Sequence, residues 1–243
     1  MASLTNDDHL LITLETFTKE VEMVGNRRPA GRPRTRILGR EVITEAARKI
    51  IATNGVQSFT MTQLASQLNV TPSAVYNHAD SKLEILRWIE DAIMGEVDTD
   101  AFDTLPWREA LKVWARSYRD IMANHSELIT AIATTEVIES PQTVAMYEQV
   151  TKVLVAAGWP LDSVVPLITA LESFIYGNAI NEHAPEDIYN VGELAGYAPT
   201  FSKAVEAQPT RSQHDVNDEL FDIGFEAIVS WSYDHYVVTR SRG

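Results

Sequence analysis

The chain has 243 residues, 45% of them hydrophobic and 22% charged, and contains no cysteine. That is a globular composition, long enough for one large domain or a small one joined to a medium one, and the missing cysteine excludes disulfides, thiolate chemistry and cysteine-held metals. The net charge of −14 argues against nucleic acid as a partner of the whole chain, but it divides into −4 over residues 1–25, +2 over 26–98 and −12 over 99–243, and screening confines the acidic part's reach to about 8–10 Å at physiological salt.

In chain order, residues 8–24 place Leu10, Leu14, Phe17, Val21 and Val24 at helical spacing. They read equally as a short amphipathic helix or as a terminal extension. Asp7 and Asp8 precede a polar-interrupted segment, unlike a secretory signal. No apolar run is expected to reach the roughly 20 residues of a membrane helix. The expected location is the cytoplasm, without membrane association. The stretch GNRRPAGRPRTR (25–36) is too rich in Gly, Pro and Arg to build a core. Its Arg32, Arg34 and Arg36 suit a phosphate backbone or a minor groove, and equally a solvated linker.

Residues 39–54 repeat Val42, Ile43, Ala46, Ala47, Ile50 and Ile51 on one helical face, and Asn54-Gly55 stops that helix. A short helix follows, capped by Thr60 or Thr62, with Leu64, Ala65 and Leu68 inward. Asn69-Val70 reads as a tight turn. Thr71 then caps a second short helix with Pro72 in its first turn, and Val75 faces the core. Helix, tight turn, helix is a helix-turn-helix, whose second helix enters the DNA major groove. Thr71, Ser73, Ala74, Tyr76 and Asn77 are its outward or N-terminal positions, suited to base edges and thymine methyls. Tyr76, His78 and Lys82 are placed to donate to phosphates. Each of these three has a bland reading alone: packing, a helix C-terminus, a solvated charge.

The run Thr62, Leu64, Ala65, Val70, Val75, Tyr76, His78, Lys82, Leu86 resembles the signature of the tetracycline-repressor family of transcriptional regulators. The likeness covers about residues 32–97. It departs at Ala79, where an aromatic usually follows the histidine, and at Asn69, where the turn residue is usually glycine. The resemblance implies an all-α fold, with an N-terminal three-helix DNA-binding head and a larger C-terminal helical bundle for ligand binding and dimerisation. It implies DNA contact by Arg32, Arg34, Arg36, Thr62, Thr71, Pro72, Ser73, Ala74, Tyr76, Asn77, His78 and Lys82. The expected divisions are 1–36 (extension and arm), 37–82 (head) and 83–243 (body).

Further helices are expected over 81–98, 107–124, 126–135, 140–158 (Ser140 cap, Pro141 in the first turn), 161–183 and 215–237, with 184–214 as loop. The last two long helices are apolar over much of their circumference and need cover on more than one side. The resemblance implies that this pair makes a twofold dimer. Phe174, Gly177, Ile223, Gly224, Ala227 and Trp231 are interface candidates, equally readable as internal core. It also implies a small-molecule effector, largely apolar, held by Trp114, Tyr118, Met122, His125, Tyr147, Phe174 and Asn178. His183 and Glu136 are further polar anchors. Each of these also reads as ordinary core packing. No metal spacing and no cofactor motif occurs: there is no GxSxG, P-loop, GxGxxG or HExxH. The expected function is therefore a dimeric repressor that binds a palindromic operator and is released by its effector. The alternatives are a helix-turn-helix-derived protein-interaction module and, behind it, an all-helical enzyme.

Overall fold

Local capping chemistry sets the first helices. In a computed structural model, which describes residues 38–208 and 211–240, α1 (Arg40–Asn54) buries Ile43, Ala46, Ala47, Ile50 and Ile51 on one face and stops at Gly55, whose φ is 76°. α2 (Met61–Gln67) opens on a capping box. Thr60 Oγ1 accepts from the Gln63 N–H at 3.2 Å, and Gln63 Oε1 accepts from the Thr60 N–H at 3.0 Å. Thr60 is thus the cap, and Thr62 points outward. The expected segments over 8–24 and 25–36, with Arg32, Arg34 and Arg36, lie outside the described residues.

Asn69 takes the left-handed conformation, φ 54°, and the next N–H, of Val70, bonds back to the Ala65 carbonyl at 3.0 Å. Ala65 is buried, and its small side chain lets α2 pack closely on α3 (Pro72–Tyr76). α4 (Lys82–Met94) is capped by Ser81, which accepts from the Glu84 N–H at 3.1 Å. It packs on α1 and, further along, on the body.

The body holds α5 (Ala101–Thr104), α6 (Trp107–Ala123), a 3-10 turn (Ser126–Leu128), α7 (Ile129–Ile132), α8 (Pro141–Ala156) and α9 (Leu161–Asn181). A second 3-10 turn (Gly192–Gly196), α10 (Pro199–Glu206), α11 (Gln213–Tyr233) and a closing π turn (Asp234–Val238) follow. The region expected to be loop therefore contains an eight-residue helix, started by Pro199 at its first position. α8 differs from expectation in its cap. Ser140 Oγ donates to Glu90 Oε2 at 3.1 Å instead of capping, and the carboxylate of Asp91, on α4, accepts the Gln142 and Thr143 N–H groups at 2.7 and 3.2 Å.

α6, α9 and α11 form the centre of the body. Antiparallel α6 and α11 carry a ladder of opposite charges at helical spacing. Arg108 pairs with Glu226 at 2.9 Å, Lys112 with Asp222 at 3.1 Å, and Arg119 with Asp218 at 2.5 Å. α9 and α11 are locked in register by a buried amide pair, Asn178 Nδ2 donating to Asn217 Oδ1 at 2.8 Å and Asn217 Nδ2 to the Asn178 carbonyl at 3.1 Å. By length and mean hydropathy (1.3), α9 is long and apolar enough to cross a membrane, which the sequence reading did not anticipate. Here one side of it, with Val164, Leu167, Ile168, Leu171 and Ile175, is core. Among the described residues there is no strand, as expected of an all-α chain.

Candidate functional site

The head presents a nearly bare reading helix. Val75 and Ala79, at 0% and 1% exposure, anchor α3 to the core. Thr71, Pro72, Ser73, Tyr76, Asn77 and His78 are exposed, Ala74 is half-buried, and Thr62 is exposed on α2. Thr71 spends its side chain on the helix N-terminus, accepting the Ala74 N–H at 3.3 Å. Tyr76 is 49% exposed, a large aromatic without a core role. Lys82 is held differently from expectation. Its Nζ donates to the Val56 carbonyl at 2.9 Å and lies 5.6 Å from the centroid of the Phe59 ring. An ammonium has three donors, so this contact fixes the group at the start of α4 and leaves donors over.

α4 ties head to body through two adjacent carboxylates. Asp91, 5% exposed, receives Arg40 of α1 (Nη2 to Oδ2, 3.1 Å) together with the first turn of α8. Glu90, also 5% exposed, accepts from Thr143 Oγ1 at 3.0 Å as well as from Ser140. A second tie joins α1 to the end of α6, where Arg48 Nη2 lies 3.0 Å from His125 Nε2. Burial, and then the Arg48 charge, lower the His125 pKa, with Glu127 and Glu96 pulling weakly the other way.

A cavity of about 280 Å³ opens between α4, α6, α8 and α9. Glu90, Tyr118, Tyr147, Glu172 and Tyr176 supply its polar lining, with Ile132, Ala133, Thr135, Val137, Thr169 and Ser173 completing the wall. Glu172 Oε1 accepts from Tyr147 Oη at 2.5 Å and from Tyr118 Oη at 3.3 Å, and the Tyr118 and Tyr176 hydroxyls are 2.8 Å apart. Burial raises the Glu172 pKa, against the two tyrosine hydrogen bonds, which lower it. Burial likewise raises Glu90, opposed by Thr143 and Ser140 and reinforced by Asp91 and Glu172. All three tyrosines are pushed up, first by burial and then by the Glu172 charge. They are therefore hydroxyl donors at any physiological pH.

Of the ligand candidates read from the sequence, Tyr118 and Tyr147 line this cavity. The others sit elsewhere. Trp114 and Met122 are wholly buried core residues, because α6 is covered on several sides. Asn178 is spent on Asn217, and His125 faces Arg48. His183 Nε2 contacts the Ala123 carbonyl at 2.7 Å, and Glu136 pairs with Arg87 at 3.3 Å. Phe174 turns to α11, with its ring 5.5 Å from Phe221. The sequence reading missed Glu90, Glu172 and Tyr176. Glu172 did carry a signal: it is the only charge between Asp162 and Glu182.

Four of the interface candidates form one apolar outer face. Gly177, Ile223, Ala227 and Trp231 are exposed, Ile223 at 59% and Trp231 at 64%, beside Val165 and Ile180 of α9 and Leu220 of α11. Phe174 and Gly224 are half-buried and pack against each other across α9 and α11.

Two family models match the chain. One, described as "Tetracyclin repressor-like, C-terminal domain", covers residues 103–230, and the other, "Bacterial regulatory proteins, tetR family", covers 43–89. An "HTH-type transcriptional regulator" of Saccharopolyspora erythraea is 27% identical over 156 residues, 64% of this chain and 66% of that protein, so the match spans just under two thirds of the relative. The fold is similar to the TetR family protein ActR of Streptomyces coelicolor, solved in complex with actinorhodin (TM-score 0.63, 21% identity, 83% of this chain and 98% of that one). It is also similar to a TetR of Acinetobacter baumannii AYE in complex with minocycline (TM-score 0.61, 20% identity, 82% and 97%).

Proposed function

Because the chain belongs to the tetR family of bacterial regulatory proteins, we propose that it is a dimeric repressor in the cytoplasm that binds a palindromic operator and releases it when a small molecule enters the body. The observation that carries this reading is the position of α4. The helix begins at Lys82 beside the reading helix and places Glu90 in the cavity wall. Its Asp91 holds α1 of the head. A ligand that favours one setting of α4 over another shifts the balance between reading and non-reading heads by that difference in affinity.

On DNA, α3 lies in the major groove with Thr71, Pro72, Ser73 and Ala74 toward the bases. Tyr76, Asn77, His78 and Thr62 contact the backbone, with Lys82 reaching a phosphate through its remaining donors. Arg32, Arg34 and Arg36 precede the head in sequence and suit phosphates or the minor groove. Two heads related by a twofold axis read half-sites about 34–36 Å apart. The exposed apolar face of α9 and α11 is the surface on which two copies meet. The effector's apolar part lies against Ile132, Val137 and the tyrosine rings. The relatives' complexes with actinorhodin and minocycline support a small organic effector.

The test is affinity selection of genomic fragments by the purified full chain at two salt concentrations. An enriched inverted repeat, bound more weakly at the higher salt, is the expected result. Each lost phosphate contact should reduce the salt slope by about 0.9. Ser73→Ala should change preference among sequences, whereas His78→Ala should weaken all of them alike. Enrichment of no sequence, with or without candidate ligands, would sink the regulator reading.

A further inference from the structure

The cavity holds two carboxyl groups and no basic side chain. Glu90 and Glu172 line it from α4 and α9, and among the described residues neither has a Lys, Arg or His partner. The groups acting on them are hydroxyls and other acids. Elsewhere the acids at the body's helix contacts are neutralised. Asp91 has Arg40, Asp218 has Arg119, Asp222 has Lys112 and Arg116, and Glu226 has Arg108. Glu90 and Glu172, which face the cavity, have no such counter-charge among the described residues. Burying an unpaired charge is costly, so such a group takes up either a proton or a cation.

The rest of the wall selects between guests. Tyr118, Tyr147 and Tyr176 line the wall with Glu172, the first two bonded to it through their hydroxyls, and an aromatic wall attracts an organic cation through the quadrupole of its rings. Both tyrosine hydrogen bonds end on Glu172 Oε1, which leaves Oε2 without a hydrogen-bond partner among the described residues. An anionic guest would meet two carboxyls and no positive charge. A hydrated metal ion would leave the rings and Ile132 and Val137 without a role. The volume, about 280 Å³, is roughly that of nine waters, enough for one substituted aromatic ring.

We propose that the ligand of this cavity is a small organic cation, an amine or quaternary ammonium on an aromatic or branched apolar body, with its charge between Glu172 and Glu90. This rests on the regulator reading for its consequence, since Glu90 is the neighbour of Asp91, but the binding chemistry stands on the cavity alone. A charge drawn against Glu90 acts on the hydroxyls of Ser140 and Thr143, and so on the turn of α8 that Asp91 holds.

The experiment compares phenyltrimethylammonium with its uncharged isostere tert-butylbenzene, by calorimetry and intrinsic fluorescence on the full chain. The cation is expected to bind more tightly by about tenfold or more. Glu172→Gln is expected to bring that ratio close to one while the uncharged compound binds as before. Glu90→Gln, a second isosteric change, should lower the ratio as well and guards against a fold defect in one variant. Equal affinities, tighter binding of the uncharged compound, no binding of the cation, or an undiminished ratio in both variants would overturn the proposal. Operator selection runs on the same preparation. A recovered operator with no cation preference removes the ligand class and leaves the regulator standing. A cation preference with no operator does the reverse.

Discussion

The ring of Phe174 fills the space that a side chain at Gly224 would need. A Cβ built on Gly224 would overlap Cε2 and Cζ of that ring, and the ring is backed by Phe221, 5.5 Å away. α9 and α11 therefore approach closely because one residue has no side chain. Gly224→Ala gains up to about 1 kcal/mol in helix propensity but overpacks the contact at about 1–3 kcal/mol. Net destabilisation is expected, with the melting temperature falling about 2–4 °C for each kcal/mol in a chain of this size. Trimming the ring in the same background, as Gly224→Ala with Phe174→Leu, should recover part of the loss. A higher melting temperature for Gly224→Ala alone would contradict this packing.

Trp231 and Ile223 lie on the outer face of the same helix, at 64% and 59% exposure. Trp231→Glu places a charge in the proposed twofold contact. A buried interface tryptophan contributes about 2 kcal/mol or more, and a twofold interface counts it twice. The variant should sediment as a monomer at concentrations where the parent is a dimer, and operator affinity should fall with it. Helix content by circular dichroism should not change. A dimeric Trp231→Glu protein would place the contact elsewhere.

Asp91 caps α8 and pairs with Arg40, and the two roles separate by mutation. Asp91→Ala strips the Gln142 and Thr143 N–H groups of their acceptor, a loss of about 1–3 kcal/mol. Arg40→Ala removes only the ion pair. The arginine side chain is 44% exposed, so its stability effect should stay within about 1 kcal/mol. Denaturant unfolding should show that difference. If Arg40 carries the head–body link, Arg40→Ala should nonetheless blunt effector-driven release of the operator.

His125 makes the second head–body tie pH-sensitive. The Arg48 guanidinium only donates, so His125 Nε2 must accept and the ring must be neutral. Burial and the Arg48 charge lower its pKa below the ordinary 6.5. The folded state thus binds this proton less well than the unfolded state. Its contribution is complete above about 6.5 and is lost as pH falls through the depressed folded value. His125→Gln keeps an acceptor that does not titrate. Relative to that variant, the parent's melting temperature should drop as pH falls from about 7.5 to about 5.5. Parallel curves would show that folding leaves the pKa of the ring unshifted.

The head was legible because its signals are local. The Asn54-Gly55 stop, Asn69 in the left-handed conformation, and Thr71 followed by Pro72 act within four residues of themselves, whereas the choice of Thr60 over Thr62 as cap came from the structure. The reach of Lys82 to Val56 was not legible, since 26 positions separate the partners. The long body helices followed from their apolar spacing and stops, whereas α10 hid among the glycines and prolines of 184–209. Which face of α9 meets which neighbour could not be read from an all-round apolar helix. The contact of Phe174 with Phe221 and Gly224 was accordingly not legible. The cavity depended on three helices converging on Glu172, and composition gave only the hint of a lone acid in an apolar run.

Ser140 and Asp91 have a consequence for the order in which the chain folds. α8 opens without a cap of its own, because Ser140 is turned to Glu90 and the acceptor for its first turn comes from α4, some 50 residues earlier in the chain. Alone, its first turn is therefore poorly nucleated. On a ribosome, however, α4 emerges first, so the cap is already in place when its recipient arrives. A circular permutant that delivered α8 before α4 would keep every native contact and lose that sequence of events. Its folding during synthesis should be slower than the parent's although its final stability is similar.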